Sequence, residues 1–237
     1  MHQESEIQFY LGEEHDCSYL TGRRARSVYF DPNAVPDRRL YSVLVDHGFR
    51  RSGEYVYRPN CGACDACVPL RLPVANFQPS RRDRRTRRRN ADLTVTSREP
   101  YFSDELFDLY RRYQHARHRD GGMDNPRPEE FLRFLDAPWS PTLFHEFRLE
   151  GRLLGVAVTD RLDQGLSAVY TFFEAEEAAR GLGNLAVLWE IEEARRLRLP
   201  FLYLGYWIAE SEKMAYKARF RPVEGFREGA WRVLNPA

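Results

Sequence analysis

The residues LFHEFRLEGRLLGVAVTDRLDQGLSAVYTFFE, numbered 143–174, indicate the architecture of this chain of 237 residues. They contain three apolar runs, Leu143–Leu149, Leu153–Thr159 and Leu166–Glu174. The turn-forming segments Glu150-Gly151 and Asp163-Gln164-Gly165 separate these runs. Short runs of β-branched, aromatic and aliphatic residues between glycine-containing turns predict strands joined as hairpins. We therefore expect an antiparallel meander in this part of the chain.

A helix and further strands are predicted after the meander. Apolar residues recur with helical spacing over Asn184–Leu197, and Pro200 ends that pattern. Phe201–Trp207 then predicts a buried strand, Glu210–Arg219 a helix, and Ala230–Leu234 a strand that closes the sheet. This order of elements resembles the layout of N-acetyltransferase-like (GNAT-type) folds. The predicted fold class is α+β, with a GNAT-type mixed sheet, helices, and a smaller N-terminal α/β region that contains the cysteines.

The residues before the meander predict shorter elements and three regions. The predicted strands are Glu6–Leu11, Ser27–Phe30 and Gly53–Arg58, and the predicted helices are Asp37–His47, Ser103–Arg117 with Ser103 as its cap, and Pro128–Leu135. We expect an N-terminal cysteine-containing region at residues 1–77, an arginine-rich connector at 78–100, and a GNAT-like transferase domain at 101–237.

Composition argues against several classes of protein. Hydrophobic residues make up 43% of the chain and aromatic residues 14%, which is typical of a folded globular protein and not of a disordered one. No run of 18 apolar residues occurs, so no segment is predicted to span a membrane. The first residues, Met1–Ile7, lack the basic and apolar parts of a signal peptide. The sequence therefore predicts a cytoplasmic protein.

A dense cationic segment interrupts an otherwise acidic chain. Residues 81–89 carry a local charge of +6, so the remaining residues carry −5 within the net charge of +1. The cations of this segment are Arg81, Arg82, Arg84, Arg85, Arg87, Arg88 and Arg89. Such a segment is typical of a contact with a nucleic-acid backbone, and without interleaved aromatic residues it should not stack on bases. The alternative is a solvated linker in an arginine-rich chain.

Lysine, in contrast, is rare and clustered. Thirty-four of the 36 basic side chains are arginine, and the two lysines, Lys213 and Lys217, lie four residues apart. Arginine presents a planar fork, whereas lysine presents a compact charge whose pKa shifts readily on burial. The pair indicates a functional site that needs an ammonium group, the alternative being a coincidence of composition.

The segment Arg180-Gly181-Leu182-Gly183-Asn184-Leu185 precedes the long helix, where a glycine-rich helix N-terminus can bind an anion. In GNAT-type enzymes this loop holds the pyrophosphate of acetyl-CoA, and glycine or alanine is expected at the position of Leu185. We expect the leucine side chain to crowd a pyrophosphate. The loop therefore argues for the same fold with a donor other than acetyl-CoA.

Four cysteines form a second chemical signal. Cys61, Cys64 and Cys67 are spaced C-x2-C-x2-C, and the strands between can bring Cys17 beside them. Four thiolates could complete a tetrahedral zinc site or hold an iron–sulfur cluster. The alternative is that the cysteines are free and serve as small hydrophobic residues.

Several stretches together resemble one family. They are Cys17–Leu20 and Gly22-Arg23; Tyr55–Cys61 with Cys64, Cys67, Pro69 and Arg71; Val169–Glu174; and Tyr203–Ile208 with Ser211, Lys213, Met214, Tyr216, Lys217, Phe220, Pro222 and Glu224. These stretches resemble aminoacyl-tRNA–protein transferases, which tag protein N-termini for degradation. The short chain, its single early cysteine and its triple-cysteine run are similar to the bacterial branch of that family.

The resemblance implies transfer of leucine from leucyl-tRNA to N-terminal Asp or Glu of proteins, which marks them for degradation by the N-end rule pathway. The implied partners are charged tRNA and proteins with an acidic N-terminus, and the transfer chemistry needs no cofactor. Two other readings stay open: an arginyl-tRNA donor, and a metal-bound RNA-binding module on a degenerate acyltransferase fold. A soluble acetyltransferase is a weaker fourth.

The same resemblance suggests roles for individual residues. We expect Glu174, at a strand end, to accept a proton from the attacking α-amine, the alternative being an ordinary exposed carboxylate. We also expect Lys213 to take part in catalysis. Either Lys213 or Lys217 could hold the tRNA 3′ end or the acidic side chain of the substrate. The other predicted substrate contacts are Tyr170, Tyr206, Trp207 and Ser211, although the aromatic residues could instead belong to the core. Arg180 is a predicted tRNA contact.

Overall fold

The computed structural model describes residues 7–117 and 125–235. Its strands are β1 (Phe9–Leu11), β2 (His15–Asp16), β3 (Arg24–Ala25), β4 (Ser27–Phe30), β5 (Arg50–Ser52), β6 (Tyr55–Pro59), β7 (Val68–Pro73), β8 (Thr94–Arg98), β9 (Thr142–Leu149), β10 (Arg152–Arg161), β11 (Gly165–Phe173), β12 (Phe201–Trp207), β13 (Glu224–Arg227) and β14 (Ala230–Val233). Its α-helices are α1 (Arg38–Asp46), α2 (Arg81–Arg89), α3 (Asp104–Arg117), α4 (Pro128–Leu135), α5 (Leu182–Arg196) and α6 (Glu212–Ala215), and 3₁₀ turns lie at Val74–Asn76, Ala175–Arg180 and Tyr216–Arg219. Across these two ranges, we find no helix with both the length and the apolar character needed to cross a membrane.

Eight strands form the main sheet in the order β14-β13-β7-β12-β11-β10-β9-β8. A four-stranded sheet, β1-β4-β6-β5, and the short pair β2-β3 come from the N-terminal residues. Among the strands described, β11 and β12 are the one parallel pair of neighbours. A parallel pair needs a crossover connection, and α5 supplies it. The predicted α+β class, with a large mixed sheet and an antiparallel β9–β10–β11 meander, is therefore confirmed.

The turn between β9 and β10 accounts for the start of the meander. Glu150 and Gly151 both have a positive φ, 49° and 88° respectively. A two-residue turn with two positive φ angles matches the twist of antiparallel strands, and glycine adopts such a φ without steric cost. The turn predicted at these two residues is confirmed.

Helix predictions are confirmed where a polar side chain caps the first turn. Asp37 accepts a hydrogen bond from Leu40 N at 2.7 Å at the start of α1. Ser103 Oγ accepts one from Leu106 N at 3.2 Å at the start of α3. These bonds satisfy backbone N–H groups that a helix leaves without intrahelical partners.

The prediction of one continuous helix over Glu210–Arg219 is wrong. α6 covers only four residues, and the chain then tightens into the 3₁₀ turn Tyr216–Arg219. In this turn Lys217 Nζ donates to Tyr206 O of β12 at 2.9 Å. The second lysine is therefore tied to the sheet and does not lie on a regular helix surface.

The sequence pattern did not predict three strands of the main sheet, β7, β8 and β13. β7 pairs with β12 on one side and with β13 on the other, although Pro69 and Pro73 lie within it. Proline lacks a backbone N–H and normally argues against an interior strand, so this strand was not predicted. β7 belongs to the first 77 residues but lies in the main sheet. The division into regions 1–77, 78–100 and 101–237 stays a prediction. Strands from the regions 1–77 and 101–237 lie in the same sheet.

Alternate side chains of β10 and β12 pack against different elements on the two faces of the main sheet. Val156 and Val158 pack with the helices α3 and α4, whereas Ala157 packs with α5. On β12, Leu202 packs with α5, and Tyr203 packs with α1 and the small N-terminal sheet. Because successive residues of a strand point to opposite faces, α5 covers one face of the sheet. The other face is covered by α3 and α4 at one end and by the N-terminal elements at the other.

A buried ion pair joins the N-terminal elements to the main sheet. Arg51 of β5 donates to both carboxylate oxygens of Asp160 on β10, at 2.6 and 2.7 Å, and both side chains are 0% exposed. Thr142 Oγ1 and Tyr41 OH also donate to Asp160, at 2.8 and 2.9 Å. Arg51 further donates to Leu135 O at 2.9 Å. Each buried charge thus has several hydrogen-bond partners, as a buried ion pair requires.

We predict that Asp160→Asn lowers the free energy of unfolding by about 3–5 kcal/mol, because it leaves Arg51 as an uncompensated buried cation. Urea unfolding followed by circular dichroism measures the change. The matched control is Glu228→Gln in the exposed pair Arg232–Glu228, which should leave the unfolding midpoint almost unchanged. Equal midpoints for Asp160→Asn and the control would contradict this role.

Candidate active site at the separated strands

The main sheet opens between β11 and β12. The two strands pair in parallel only at Gly165–Ser167 and Phe201–Tyr203, although β11 continues to Phe173 and β12 to Trp207. At the same level, the register of β11 shifts against β10, and that of β12 shifts against β7. Irregularities of this kind bend a strand and end its pairing. Beyond the third pair, the strands leave a gap whose backbone groups need other partners.

Arg50 of β5 occupies this gap. Its guanidinium donates to Ser167 Oγ at 3.1 Å, to Tyr203 O at 3.5 Å and to Ala168 O. It therefore bonds to both separated strands while remaining buried, with only 8% of the residue exposed. Gly205 of β12 has φ 74°, and a Cβ added there would lie 3.3 Å from Arg50 Cζ. Glycine at position 205 gives this guanidinium room against the backbone.

Lys217 lies at the same opening. Its Nζ donates to Tyr206 O, on the part of β12 that no longer pairs with β11. Burial, followed by the charge of Arg50, lowers the pKa of Lys217 to about 7. Both effects disfavour a charged amine. Near neutral pH, a substantial fraction of this lysine is therefore a neutral amine with a free lone pair.

Glu190 faces the opening from α5. Its residue is 0% exposed, and Oε1 accepts a hydrogen bond from Thr159 Oγ1 at 2.8 Å, whereas Oε2 has no hydrogen-bond partner in the described structure. Burial raises the pKa of Glu190 to about 8, against the smaller opposing effects of Thr159 and Arg50. At neutral pH this carboxyl group is mostly protonated, so it supplies little negative charge to the opening.

Two buried donors flank the opening without an acceptor among the described residues. Tyr170 OH of β11 donates to Gln114 Oε1 of α3 at 3.5 Å, while the amide nitrogen of the fully buried Gln114 stays unbonded. Trp207 Nε1 at the end of β12 is likewise buried and unbonded. Buried polar atoms normally have partners, so these donors mark places where a ligand could bind. Of the predicted aromatic contacts, Tyr170 and Trp207 lie beside the opening.

The other two predicted substrate contacts, Tyr206 and Ser211, make hydrogen bonds within the protein. Tyr206 OH donates to Gly48 O at 2.9 Å and to Tyr57 O at 3.3 Å, so its hydroxyl points into the N-terminal elements. Ser211 is buried, and its carbonyl accepts from two amides at the start of α6, those of Met214 and Ala215.

Glu174 and Lys213 lie apart from Lys217. The Glu174 carboxylate follows β11 and is held by the Arg112 guanidinium through both Nε and Nη2. Lys213 is exposed, and its Nζ donates to Arg117 O at the end of α3, at 3.2 Å. Although the two lysines are four residues apart in sequence, they bond to different elements.

The cationic segment predicted at residues 81–89 forms the helix α2. Ser80 and Asp83 make a capping box at its start. With 3.6 residues per turn, four of its arginines share one face. These four are Arg81, Arg84, Arg85 and Arg88. Together with Arg82 they line a shallow groove on the surface. The helix presents these cations to solvent as a single surface.

The other predicted tRNA contacts are engaged within the protein. Arg87 pairs with Glu192 at 2.6 Å, and Arg89 donates to Ala179 O. Arg180 makes a bidentate pair with Asp92 at 2.9 and 3.0 Å and a further contact with Glu177 at 3.2 Å.

Leu185 is buried among Phe147, Leu154 and Ala157, with 9% of the residue exposed. The expectation that its side chain crowds a ligand at the loop is therefore wrong. On the helix, this position faces the sheet, so leucine contributes to the core.

The four cysteines lie near one another. All four are free and half-buried. Burial and then the nearby Cys61, Cys17 and Cys64 raise the pKa of Cys67 to about 11. However, residues 7–117 and 125–235 contain no group of three or more His, Cys, Asp or Glu side chains placed to hold a metal ion. The zinc or iron–sulfur site stays a prediction.

Sequence reasoning missed Arg50, Glu190 and Gln114. Arg50 is one of 34 arginines and carries no distinguishing pattern. Glu190 could have been found, because it lies four residues after Ala186 and four before Ala194, on the apolar face of α5. A carboxyl group on such a face is a signal of a special environment.

Two family models and several curated proteins match this chain. The family model described as arginine-tRNA-protein transferase, C terminus, matches residues 105–227, and the N-terminus model of the same family matches residues 15–85. An aspartate/glutamate leucyltransferase of Pseudomonas fluorescens (strain Pf0-1) is 51% identical over 97% of each chain. One of Alcanivorax borkumensis is 50% identical over 96% of this chain and 94% of its own.

Similarity to solved structures is weaker. L-PGS from Bacillus licheniformis superposes with a TM-score of 0.46 and 11% identity, over 71% of this chain and 50% of that one. That value is too low to assign a fold type. Two family models match this chain, and its identity to curated relatives is about 50% over nearly its whole length. This chain therefore belongs to the arginine-tRNA-protein transferase family.

Proposed function

We propose that this protein transfers leucine from leucyl-tRNA to the N-terminal Asp or Glu of proteins and so marks them for degradation by the N-end rule pathway. The observation that carries this proposal is the identity of about half of all residues, over 97% of the chain, with curated aspartate/glutamate leucyltransferases. The protein is an aminoacyl-tRNA-dependent transferase whose partners are charged tRNA and proteins with an acidic N-terminus. Because its donor is a charged tRNA, we place it in the cytoplasm.

The opening between β11 and β12 is the proposed site of transfer. Support for a GNAT-type arrangement comes from the parallel pair that separates after three residues, with the crossover helix α5 behind it. The opening gathers Arg50, Glu190 and Lys217 and leaves two buried donors unbonded. The two unbonded N–H donors suit the carbonyl oxygen of an aminoacyl ester, which accepts hydrogen bonds.

The residue roles that we propose follow from these positions. Tyr170 and Trp207 flank the bound ester, and Tyr206 and Ser211 act indirectly by fixing β12 and α6. Lys213 of α6, whose Nζ bonds to the end of α3, would contact the tRNA 3′ end or the acidic substrate. Glu174 remains a candidate for proton transfer. Its carboxylate would first have to leave the ion pair with Arg112.

The exposed face of α2 is the proposed contact with the tRNA backbone. Its arginines project from a helix whose other side packs on α5. Phosphates neutralise such a surface and release counterions, so binding should weaken steeply with salt. Arg87, Arg89 and Arg180 can join the contact only by exchanging their present partners.

An arginyl-tRNA donor is the second candidate function, because the matching family model carries arginine in its description. A metal-bound RNA-binding module is the third, and it would keep the α2 surface without transfer activity. An acetyl-CoA donor is the weakest of the four readings.

Our first functional prediction concerns the donor and the acceptor. The purified protein, mixed with leucine- or arginine-charged tRNA and with peptides that start with Asp, Glu or Ala, should add leucine to the Asp and Glu peptides only. Mass spectrometry of the peptides measures the addition. Arginine addition alone would support the arginyl donor, and no addition with intact tRNA binding would support the RNA-binding module.

A second prediction tests the α2 surface. Arg85→Ala should weaken tRNA binding and flatten the dependence of log Kd on log salt by about 0.7–0.9 for each phosphate that the variant no longer neutralises. The control Arg232→Ala, at the far edge of the sheet, should leave this slope unchanged. Filter binding at several salt concentrations gives the slopes, and identical slopes for both variants would contradict the proposed tRNA interface.

A third prediction concerns the cysteines, which we propose as ligands of zinc or an iron–sulfur cluster. Anaerobically purified protein should contain zinc or iron by elemental analysis, and a visible absorption spectrum would identify a cluster. Cys61→Ser/Cys64→Ser should lose that metal. Wild-type protein with neither metal would indicate free cysteines that serve as small hydrophobic residues.

A further inference from the structure

Lys217 has no counterion among the residues that the structure describes. Its one hydrogen bond is donated to a backbone carbonyl, Tyr206 O, and it makes no ion pair with any residue in the described ranges. A buried charge normally has a partner of opposite sign, because desolvation otherwise drives it to its neutral form. Lys217 is half-buried, and its environment favours the free amine.

Charged and titratable groups surround Lys217 on several sides. Arg50 reaches it from β5, Glu190 faces the opening from α5, Tyr206 lies on β12, and Tyr216 and Arg219 flank it on its own turn. Beyond Tyr216 lie Tyr113 and Arg117 of α3. Arginine supplies most of this charge. Glu190 offers little compensation while its carboxyl group is protonated.

The proposed reaction needs such an amine. A protein α-amino group has a pKa of about 8, so at neutral pH most of it is ammonium and has no lone pair for attack. A base is most effective when its pKa lies near the working pH, and the Lys217 pKa of about 7 meets this condition. Lys217 also lies at the opening where the ester is proposed to bind.

We propose that the neutral amine of Lys217 is the catalytic base that takes a proton from the α-ammonium of the acceptor protein; this role rests on the proposed leucine transfer. The freed amine attacks the ester carbonyl, and the C–N bond forms. The ester C–O bond then breaks, and the second proton of the attacking nitrogen goes to the ribose oxygen that leaves. Lys217 finally returns its own proton to solvent, and the positive charge of Arg50 favours that release.

The other candidate bases are less suited to this step. The Glu174 carboxylate is engaged by two nitrogen atoms of Arg112. Lys213 is exposed, and its Nζ donates to Arg117 O at the end of α3. Neither side chain bonds to the separated strands at the opening. This contrast gives a matched pair of variants at the two lysines of the chain.

The first experiment observes protonation without the reaction. Because the chain has only two lysines, protein labelled with ¹³C at lysine Cε gives two signals, and Lys213→Arg assigns them. We expect the Lys217 signal to titrate near pH 7. Titration of the Lys217 signal near the ordinary lysine pKa of about 10 would overturn the proposal.

The second experiment measures single-turnover leucine transfer to an Asp-starting peptide against pH. Lys217→Met should slow transfer about 100-fold at pH 7, and the loss should shrink above pH 9, where the acceptor amine is already deprotonated. Lys213→Met should show no such pH-dependent recovery. A loss that is equal at all pH values would indicate a positioning role and overturn the proposal, as would a wild-type rate.

Both experiments keep the proposal separate from the function on which it rests. Failure of the wild-type protein to transfer leucine would overturn the proposed function, and the role of Lys217 with it. A wild-type rate in Lys217→Met would overturn the role of Lys217 alone. If the Met variant does not fold, Lys217→Gln replaces it, and the titration of the wild-type protein still decides.

Discussion

The contact of the Arg50 guanidinium with both β11 and β12 is the interaction on which the site depends. Two parallel strands that separate within a sheet leave backbone carbonyls without partners, and such groups are costly when buried. Arg50 bonds to carbonyls on both strands at the point of separation, and Lys217 bonds to one further along β12. The opening can therefore persist in the core. The charge of the same guanidinium also lowers the pKa of Lys217. Arg50 therefore both stabilises the separated strands and favours the neutral form of Lys217.

The N-terminal elements are part of this site. Consecutive residues of β5 reach neighbouring strands: Arg50 bonds to Ser167 of β11, and Arg51 bonds to Asp160 of β10. Asp160 and Ser167 are themselves register partners. One short strand thus anchors the small sheet and shapes the opening of the large one. Because β7 also lies within the main sheet, the cysteine-containing region and the transferase region are mechanically coupled.

The sequence predicted those features that depend on local patterns. Alternating apolar runs with glycine turns identified the meander, and Ser103 identified a helix start because capping is a local interaction. It did not predict β7, whose two prolines oppose a strand that is nonetheless stabilised by neighbours on both sides. The site was predicted only in part: rarity drew attention to Lys217, while Arg50 was hidden among similar residues. Burial and pairing, which give these residues their properties, arise from contacts between residues that are distant in sequence.

The most direct test of the proposed site is a crystal structure with a non-hydrolysable analogue of the tRNA 3′ end, in which an amide links leucine to the terminal adenosine. We expect the leucyl group to lie between β11 and β12, with its amide carbonyl near Lys217 and within reach of Gln114 or Trp207. A leucyl group bound elsewhere, with the gap around Arg50 unchanged, would contradict the assignment of the opening as the site of transfer.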